Sequence, residues 1–415
     1  MKAEIITIGD ELLIGQTIDT NSAWMGSTLN AIGIRVNRIT SISDEKSEIL
    51  SAIDTAFDRA NLILVTGGLG PTNDDITKAT LAEYFDSEME INDAVLVDIE
   101  SYFKRKGKET LEVNRLQASL PSKARIVRNL KGTASGMWFD HKGKVLISMP
   151  GVPYEMKHLM EDGFIPMISA HFNTTPVYHH TVLTMGMGES HLSMKIKNWE
   201  DSLAESDLKL AYLPSPGIVK LRLTAHGPDK AELKVRVDKK VKELEALIPD
   251  LVYGYNTDRL EELVGDLLSI KGKKVATAES CTGGYIAHLI TTVPGSSQYY
   301  EGSFATYSYT SKTDILGVDA ELIKEEGAVS GEVVKSMALG LFDRFEVDYA
   351  IAVSGIAGPS GGTEDKPVGT VWMAVGTKEK MEVKRFQFGN HRVNNIRMTA
   401  LNALNTLRKQ LLMLN

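Results

Sequence analysis

The run "TAESCTGGYIAHLI", Thr277 to Ile290, sets Ser280, Cys281 and Thr282 side by side ahead of Gly283 and Gly284, and Cys281 is the only cysteine of the chain. A thiol nucleophile needs a base, most often histidine. The nearest one, His288, is about two helical turns along a predicted helix, beyond direct contact. Cys281 is therefore expected to be a buried structural residue. A serine can instead use lysine, provided that desolvation or nearby charge lowers the amine's pKa. "GSFATYSYTSKTDILGV" supplies Tyr307 and Lys312 just past a predicted strand end. There Tyr307 could relay a proton or fix the lysine; a lysine merely in solvent is the plainer alternative. "SGIAGPSGGTEDKPVGTVW" adds a glycine-rich loop from Gly355 to Gly362. Its backbone can approach a ligand closely, or simply connect two apolar strands.

A second constellation lies near the N-terminus. "TIGDELLIGQTIDTNS" and "VTGGLGPTNDDITK" put Asp10, Glu11, Asp74 and Asp75 just past predicted strands. Gly67, Gly68 and Gly70 would let a phosphate approach the backbone, with Thr72 or Asn73 opening the helix behind it. Carboxylates beside such a turn suit a hard divalent cation such as Mg²⁺, which bridges phosphate oxygens. The alternative is that Asp74 and Asp75 cap a helix and favour its positive end.

Positioning these groups requires sheets. "AEIITIG", "IRVNRIT", "NLILVTGG" and "GKVLISM" read as strands, separated by amphipathic helices such as "DEKSEILSAIDTAFDRA". That alternation predicts a doubly wound parallel α/β domain over 1–170. From 175 to 253 the rhythm changes to a small β-α-β-β-α-β module. A second doubly wound α/β domain is expected over 256–415, with a predicted helix starting at Cys281. Open sheets of this kind bind ligands at the carboxyl ends of their strands, where both constellations fall. Met156, Met160, Met185 and Met187 are expected to fill core gaps. His179, His180 and His191 match no metal-ligand spacing.

Bulk composition narrows the class. A chain of 415 residues is too long for one ordinary core. Its net charge of −8 argues against general affinity for nucleic acid or anionic membrane. No apolar run is long enough to span a bilayer, and no signal peptide opens the chain, so a cytoplasmic protein is expected.

"TAESCTGG", "YSYTSK", "GAVSGEVV" and "SGIAGPSGGTEDKPVGTVW", in this order, resemble the C-terminal domain of the CinA family, whose members include nicotinamide mononucleotide (NMN) deamidases. The resemblance implies Ser280 as nucleophile, Lys312 as its base and Tyr307 as a supporting donor. It implies that Thr282, Gly283 and the stretch Gly355, Ile356, Ala357, Gly358 hold substrate and oxyanion, with no cofactor. Tyr309 stands where the family's Y-S-N-x-x-K pattern has asparagine. "GDELLIGQTIDTNS", "TGGLGPTNDDITK" and "MPGVPYEM" resemble the molybdopterin-binding-like domain of full-length CinA proteins. This half implies a metal-dependent ADP-ribose pyrophosphatase. Asp10, Glu11, Asp74 and Asp75 would be its metal or base residues, and Asn21, Gly67, Gly68, Gly70, Pro150, Gly151 and Pro153 would shape its pocket. The middle module is similar to the family's KH-like insert. It carries "GMGES" in place of a G-x-x-G loop, which points away from nucleic-acid binding. The family resemblance further implies a homodimer. It leaves open a non-catalytic alternative: a regulatory or molybdopterin-binding protein linked to competence or DNA damage.

Overall fold

The computed structural model describes residues 1–72 and 74–414, so the expected helix-opening role of Asn73 lies outside the described residues. Two compact units arise: 1–179 with 225–234, and 180–224 with 235–415.

In the first unit, β1 (Lys2–Ile8), β2 (Arg35–Ile42) and β3 (Leu62–Thr66) alternate with helices. A separate two-stranded ribbon joins β4 (Met89–Ile91) to β5 (Ser119–Pro121). β6 (Arg125–Val127), β7 (Gly136–His141) and β8 (Lys144–Met149) complete a six-stranded sheet of order β2-β1-β3-β8-β7-β6. Pairing is parallel across β2-β1-β3-β8 and antiparallel at β8-β7-β6. The class is α/β as expected, but the sheet is mixed rather than wholly parallel. The reason is local. Lys142 and Gly143 both adopt positive φ, 48° and 77°, as a two-residue hairpin turn requires.

Both faces of this sheet are covered along its central strands β1, β3 and β8, which bury nearly every side chain, whereas the edge strand β2 is largely exposed. Ile6, Ile8, Ile63 and Val65 pack towards Ile49, Ile53 and Phe57 of the helix Lys46–Arg59. Their sequence neighbours Ile5, Leu62 and Leu64 pack towards Met25 and Leu29 of the helix Thr20–Ala31. The period-two alternation of a strand produces this division, and each such side chain contributes roughly 1.5–3 kcal/mol on burial. Met156 and Met160 sit in that core, as Met185 sits in the second unit's; Met187 is only half-buried.

The middle segment forms β9 (Val177–Met185), β10 (Leu208–Ser215), β11 (Ile218–His226) and β12 (Val252–Tyr255), a sheet of order β10-β11-β9-β12. With the helices Glu189–Asp201 and Lys230–Leu247 this is the anticipated β-α-β-β-α-β order.

The last sheet contains β13 (Val275–Glu279), β14 (Tyr300–Ala305), β15 (Tyr349–Gly355), β16 (Thr370–Gly376) and β17 (Met381–Gln387), in the order β14-β13-β15-β16-β17. β14, β13 and β15 run parallel, and β16 and β17 antiparallel. Val275, Ile351 and Val353 face the helices Leu260–Ile270 and Arg392–Leu412. Alanines 276, 278, 350 and 352 face the helix Gly331–Phe342, where small side chains allow close approach. Among the described residues no helix is long and apolar enough to cross a membrane.

Candidate active sites

Both sheets reverse direction of growth at an internal strand pair. In the first, β2 and β3 flank β1; in the last, β14 and β15 flank β13. At such a switch point the loops leave in opposite directions and open a crevice at the strands' carboxyl ends. Each sequence constellation stands at one of these crevices.

In the C-terminal crevice, parallel pairing sets Glu279 opposite Ala305 on one side and Val353 on the other. Ser280, the segment after Ala305 and the loop after Gly355 therefore emerge together. Ser308 and Ser311 form a reciprocal capping box that starts the helix Tyr309–Leu316, and Lys312 stands on its first turn. Lys312 Nζ lies 3.0 Å from Ser280 Oγ and donates to the carbonyl of Thr306 at 2.7 Å. Its side chain is 1 % exposed. Burial holds the amine below the ordinary lysine value, because the charged form loses hydration without an opposing carboxylate.

The predicted helix from Cys281 instead starts at Tyr285. Gly283 and Gly284 take φ of 60° and 101°, which no helix accommodates, so residues 280–284 make a turn. The helix's N–H groups are not open to a ligand as expected. Glu279, buried within the sheet, accepts from Gly284, Ile286 and Ala287. The N–H group of Thr282 has no acceptor among the described residues, and neither does the buried Thr282 hydroxyl, while the N–H of Cys281 faces only its own thiol. These are the donors nearest in sequence to Ser280.

The loop after β15 is pinned by its carbonyls. Asn395 Nδ2 donates to Ala357 O at 3.0 Å and Arg392 Nη1 to Gly358 O at 2.9 Å. Ile356 N–H is taken by Thr370 O, so Ala357 and Gly358 are the residues of that stretch with N–H groups free of a described acceptor. Tyr307 is exposed and accepts from Arg392 at 3.0 Å. It stands at the rim with Arg392 rather than against the lysine. Tyr309 is also exposed. Arg392, Asn395, Thr306 and Glu279 escaped the sequence reading. Glu279 carried a signal, since a lone carboxylate inside an apolar strand must find donors.

Cys281 packs on Ala357 and Val371. Burial pushes its thiol up to about 12, which leaves it protonated at neutral pH and unreactive. Cys281→Ser is expected to leave any Ser280-dependent turnover within about threefold of wild type while lowering stability by about 1–2 kcal/mol. Parallel assays of turnover and thermal melting check both parts.

The N-terminal crevice is a cavity of about 400 Å³ lined by Gly9, Glu11, Asp44, Gly67, Gly68, Gly70, Asp74, Asp75, Pro150 and Gly151, among others. Gly68 has φ 64°, and a Cβ there would stand 2.1 Å from Thr77 Oγ1, so only glycine fits this turn. Asn21 donates to Gly151 O at 2.7 Å. It lines, with Glu11 and Pro153, a neighbouring space of about 100 Å³. Asp44, unforeseen, joins the carboxylates: burial first, then the charges of Asp10, Glu11 and Asp74, hold its carboxyl above the ordinary range.

Two expectations change here. Neither Asp74 nor Asp75 caps the following helix, which runs Thr77–Tyr84 with Ile76 before it and no side-chain cap. Thr72 does not open it either. Asp75 accepts from Thr72 N and Oγ1, closing its own loop. Among the described residues no three His, Cys, Asp or Glu side chains are grouped to hold a metal ion, including His179, His180 and His191. The crowding around Asp44 nonetheless favours a positive charge. Mg²⁺ usually takes one or two carboxylates and completes its shell with water and phosphate oxygens.

Parallel-sheet crevices, one beside a serine–lysine pair and one beside carboxylates and a glycine turn, define a class of multidomain α/β protein. Its parts match three family descriptions in succession. These are a probable molybdopterin binding domain over 4–170, the damage-inducible protein CinA KH domain over 179–254, and the CinA C-terminal domain over 257–411. The chain is 47% identical over 409 residues to a CinA-like protein of Cytophaga hutchinsonii, covering 99% of this chain and 98% of that one. It is 39% identical to a putative competence-damage inducible protein of Caldicellulosiruptor saccharolyticus, covering 99% and 100%. A crystal structure of a competence/damage inducible protein from Agrobacterium tumefaciens is 37% identical over 37% of this chain and 96% of its own, with a TM-score of 0.36. The chain belongs to the CinA family.

Proposed function

We propose that the C-terminal site is a nicotinamide-nucleotide amidase acting on NMN, and that the N-terminal site is an ADP-ribose pyrophosphatase. The observation that supports the first reading most is the buried amine 3.0 Å from the Ser280 hydroxyl. A neutral Lys312 accepts the Oγ proton while Oγ attacks the carboxamide carbon. The tetrahedral oxyanion is met by the free N–H groups near Cys281 and Ala357. Lys312 then passes its proton to the departing ammonia as the C–N bond breaks. Water attacks the resulting ester, its proton moving through Nζ back to Oγ, and nicotinate mononucleotide leaves.

In the N-terminal crevice, one or two of Glu11, Asp44 and Asp74 would hold a divalent cation, which would neutralise phosphate charge during attack by water. The Gly67–Gly68–Gly70 turn lets pyrophosphate oxygens reach the backbone, and Asp75 keeps that turn closed.

The test is to incubate purified protein with NMN and with ADP-ribose separately, with and without divalent metal. Ammonia from NMN without added metal, and AMP from ADP-ribose only with it, are expected. Ammonia production that requires the metal would sink the serine–lysine reading, and metal-independent AMP would sink the other.

A further inference from the structure

Gln117 lies in the wall of the N-terminal cavity and is 4 % exposed. Its Nε2 donates to the carbonyl of Leu69 at 3.4 Å. Its Oε1 is buried and has no donor among the described residues. Turning the amide over would set two oxygens against each other at Leu69, so its orientation is fixed. The backbone behind it is held as well: Lys78 Nζ reaches the carbonyls of Leu116 and Gln117 at 3.3 and 3.5 Å. A buried carbonyl left unpaired costs free energy that a ligand's donor would recover.

What that donor belongs to follows from placement. A phosphate has only acceptors at neutral pH and would be repelled by Oε1. Leu69, to which the amide is anchored, sits between Gly68 and Gly70, in the turn where phosphate oxygens approach the backbone. The donor is therefore a group other than the phosphate and only a few bonds from it. In a nucleotide that group is a hydroxyl of the sugar; a base amine lies farther away.

We propose that Gln117 is a specificity-determining residue of the N-terminal site, its Oε1 accepting a hydrogen bond from a ribose hydroxyl of a nucleotide phosphate. The proposal rests on the pyrophosphatase reading above and adds the sugar as the part of the substrate that is selected.

The test titrates wild type and Gln117→Met calorimetrically with AMP, IMP, 2′-deoxy-AMP and 3′-deoxy-AMP in buffer containing Mg²⁺. Wild type is expected to bind AMP and IMP alike and to lose about tenfold for one of the deoxy probes. Gln117→Met should bind AMP about tenfold more weakly and lose the distinction between ribose and deoxyribose. The proposal is overturned if the variant keeps the wild-type ratio, or if IMP is the probe that wild type rejects. If folded wild type binds none of the four, the pyrophosphatase reading falls and this proposal with it. Gln117→Leu serves as a second variant. Both lose the bond to Leu69 O together with the unpaired carbonyl, so each must first show a cooperative melt, and the ribose-to-deoxyribose ratio in the folded variants decides the proposal.

Discussion

Ser280→Ala is expected to lower ammonia release from NMN on the order of 10³-fold or more in kcat, with little change in KM. The substitution removes the attacking oxygen and nothing that the fold depends on. The Oγ has Lys312 as its described partner, and the backbone bonds of Ser280 to Val353 and Gly283 remain. AMP production from ADP-ribose should be untouched, which makes it the internal control for folding. Retained ammonia release in this variant, with loss in Cys281→Ser, would reverse the assignment and restore the thiol.

Lys312 carries the second large effect, and its signature is pH. The amine must be neutral to accept the Oγ proton. Burial, the main cause, depresses its pKa below the ordinary 10.5. The rate on NMN should therefore rise with pH along a limb centred below 10.5 and then level off. Lys312→Arg keeps a positive charge that cannot be shed. It is expected to lower kcat roughly 10²–10⁴-fold and abolish the limb. Stability supplies an independent readout. Between the depressed folded value and 10.5 the unfolded chain binds more protons than the folded one, so this group makes stability rise with pH across that window. Unfolding curves of wild type and Lys312→Met should diverge in favour of wild type as pH climbs toward 10.5, and run parallel above it. A difference independent of pH would mean that the amine is not depressed.

The electrostatics of the two crevices are opposite in kind. The C-terminal one buries an amine beside a hydroxyl, with the Glu279 carboxylate tied to backbone N–H groups behind them and the Arg392 cation at the rim. In the N-terminal one, burial and then the neighbouring Asp10, Glu11 and Asp74 hold the Asp44 carboxyl above its ordinary range. The first arrangement suits proton transfer, whereas the second would favour a positive charge beside it. Each lies at a switch point between parallel strands, so one architectural device would serve both proposed chemistries.

Local periodicity was sufficient for much of this. Alternation in "VATAE" and "YAIAVSG", spaced by amphipathic helices, specifies strands buried on both faces, because side chains on a strand divide strictly between two sides. The glycines at 67 and 68 announce a turn no other residue could make. Types of residue also pointed to a serine beside a lysine and to carboxylates beside a phosphate turn. The same reading missed the antiparallel edge of the first sheet and placed the helix at Cys281 four residues early. The helix cap that it offered as the alternative role of Asp74 and Asp75 does not form. Each of these depends on which backbone groups find partners, and the partners come from elsewhere in the chain. Ser280 and Lys312 are 32 residues apart. Only the parallel register of Glu279 with Ala305 carries their two segments out of the sheet at one level. Asp44, Gln117 and Arg392 have no spacing to betray them, since a buried charge or an unpaired carbonyl is a property of surroundings rather than of residue type. Residue identities determined which chemistry was available. The tertiary structure decided which groups meet and which amine loses its water, because hydration is removed only by packing.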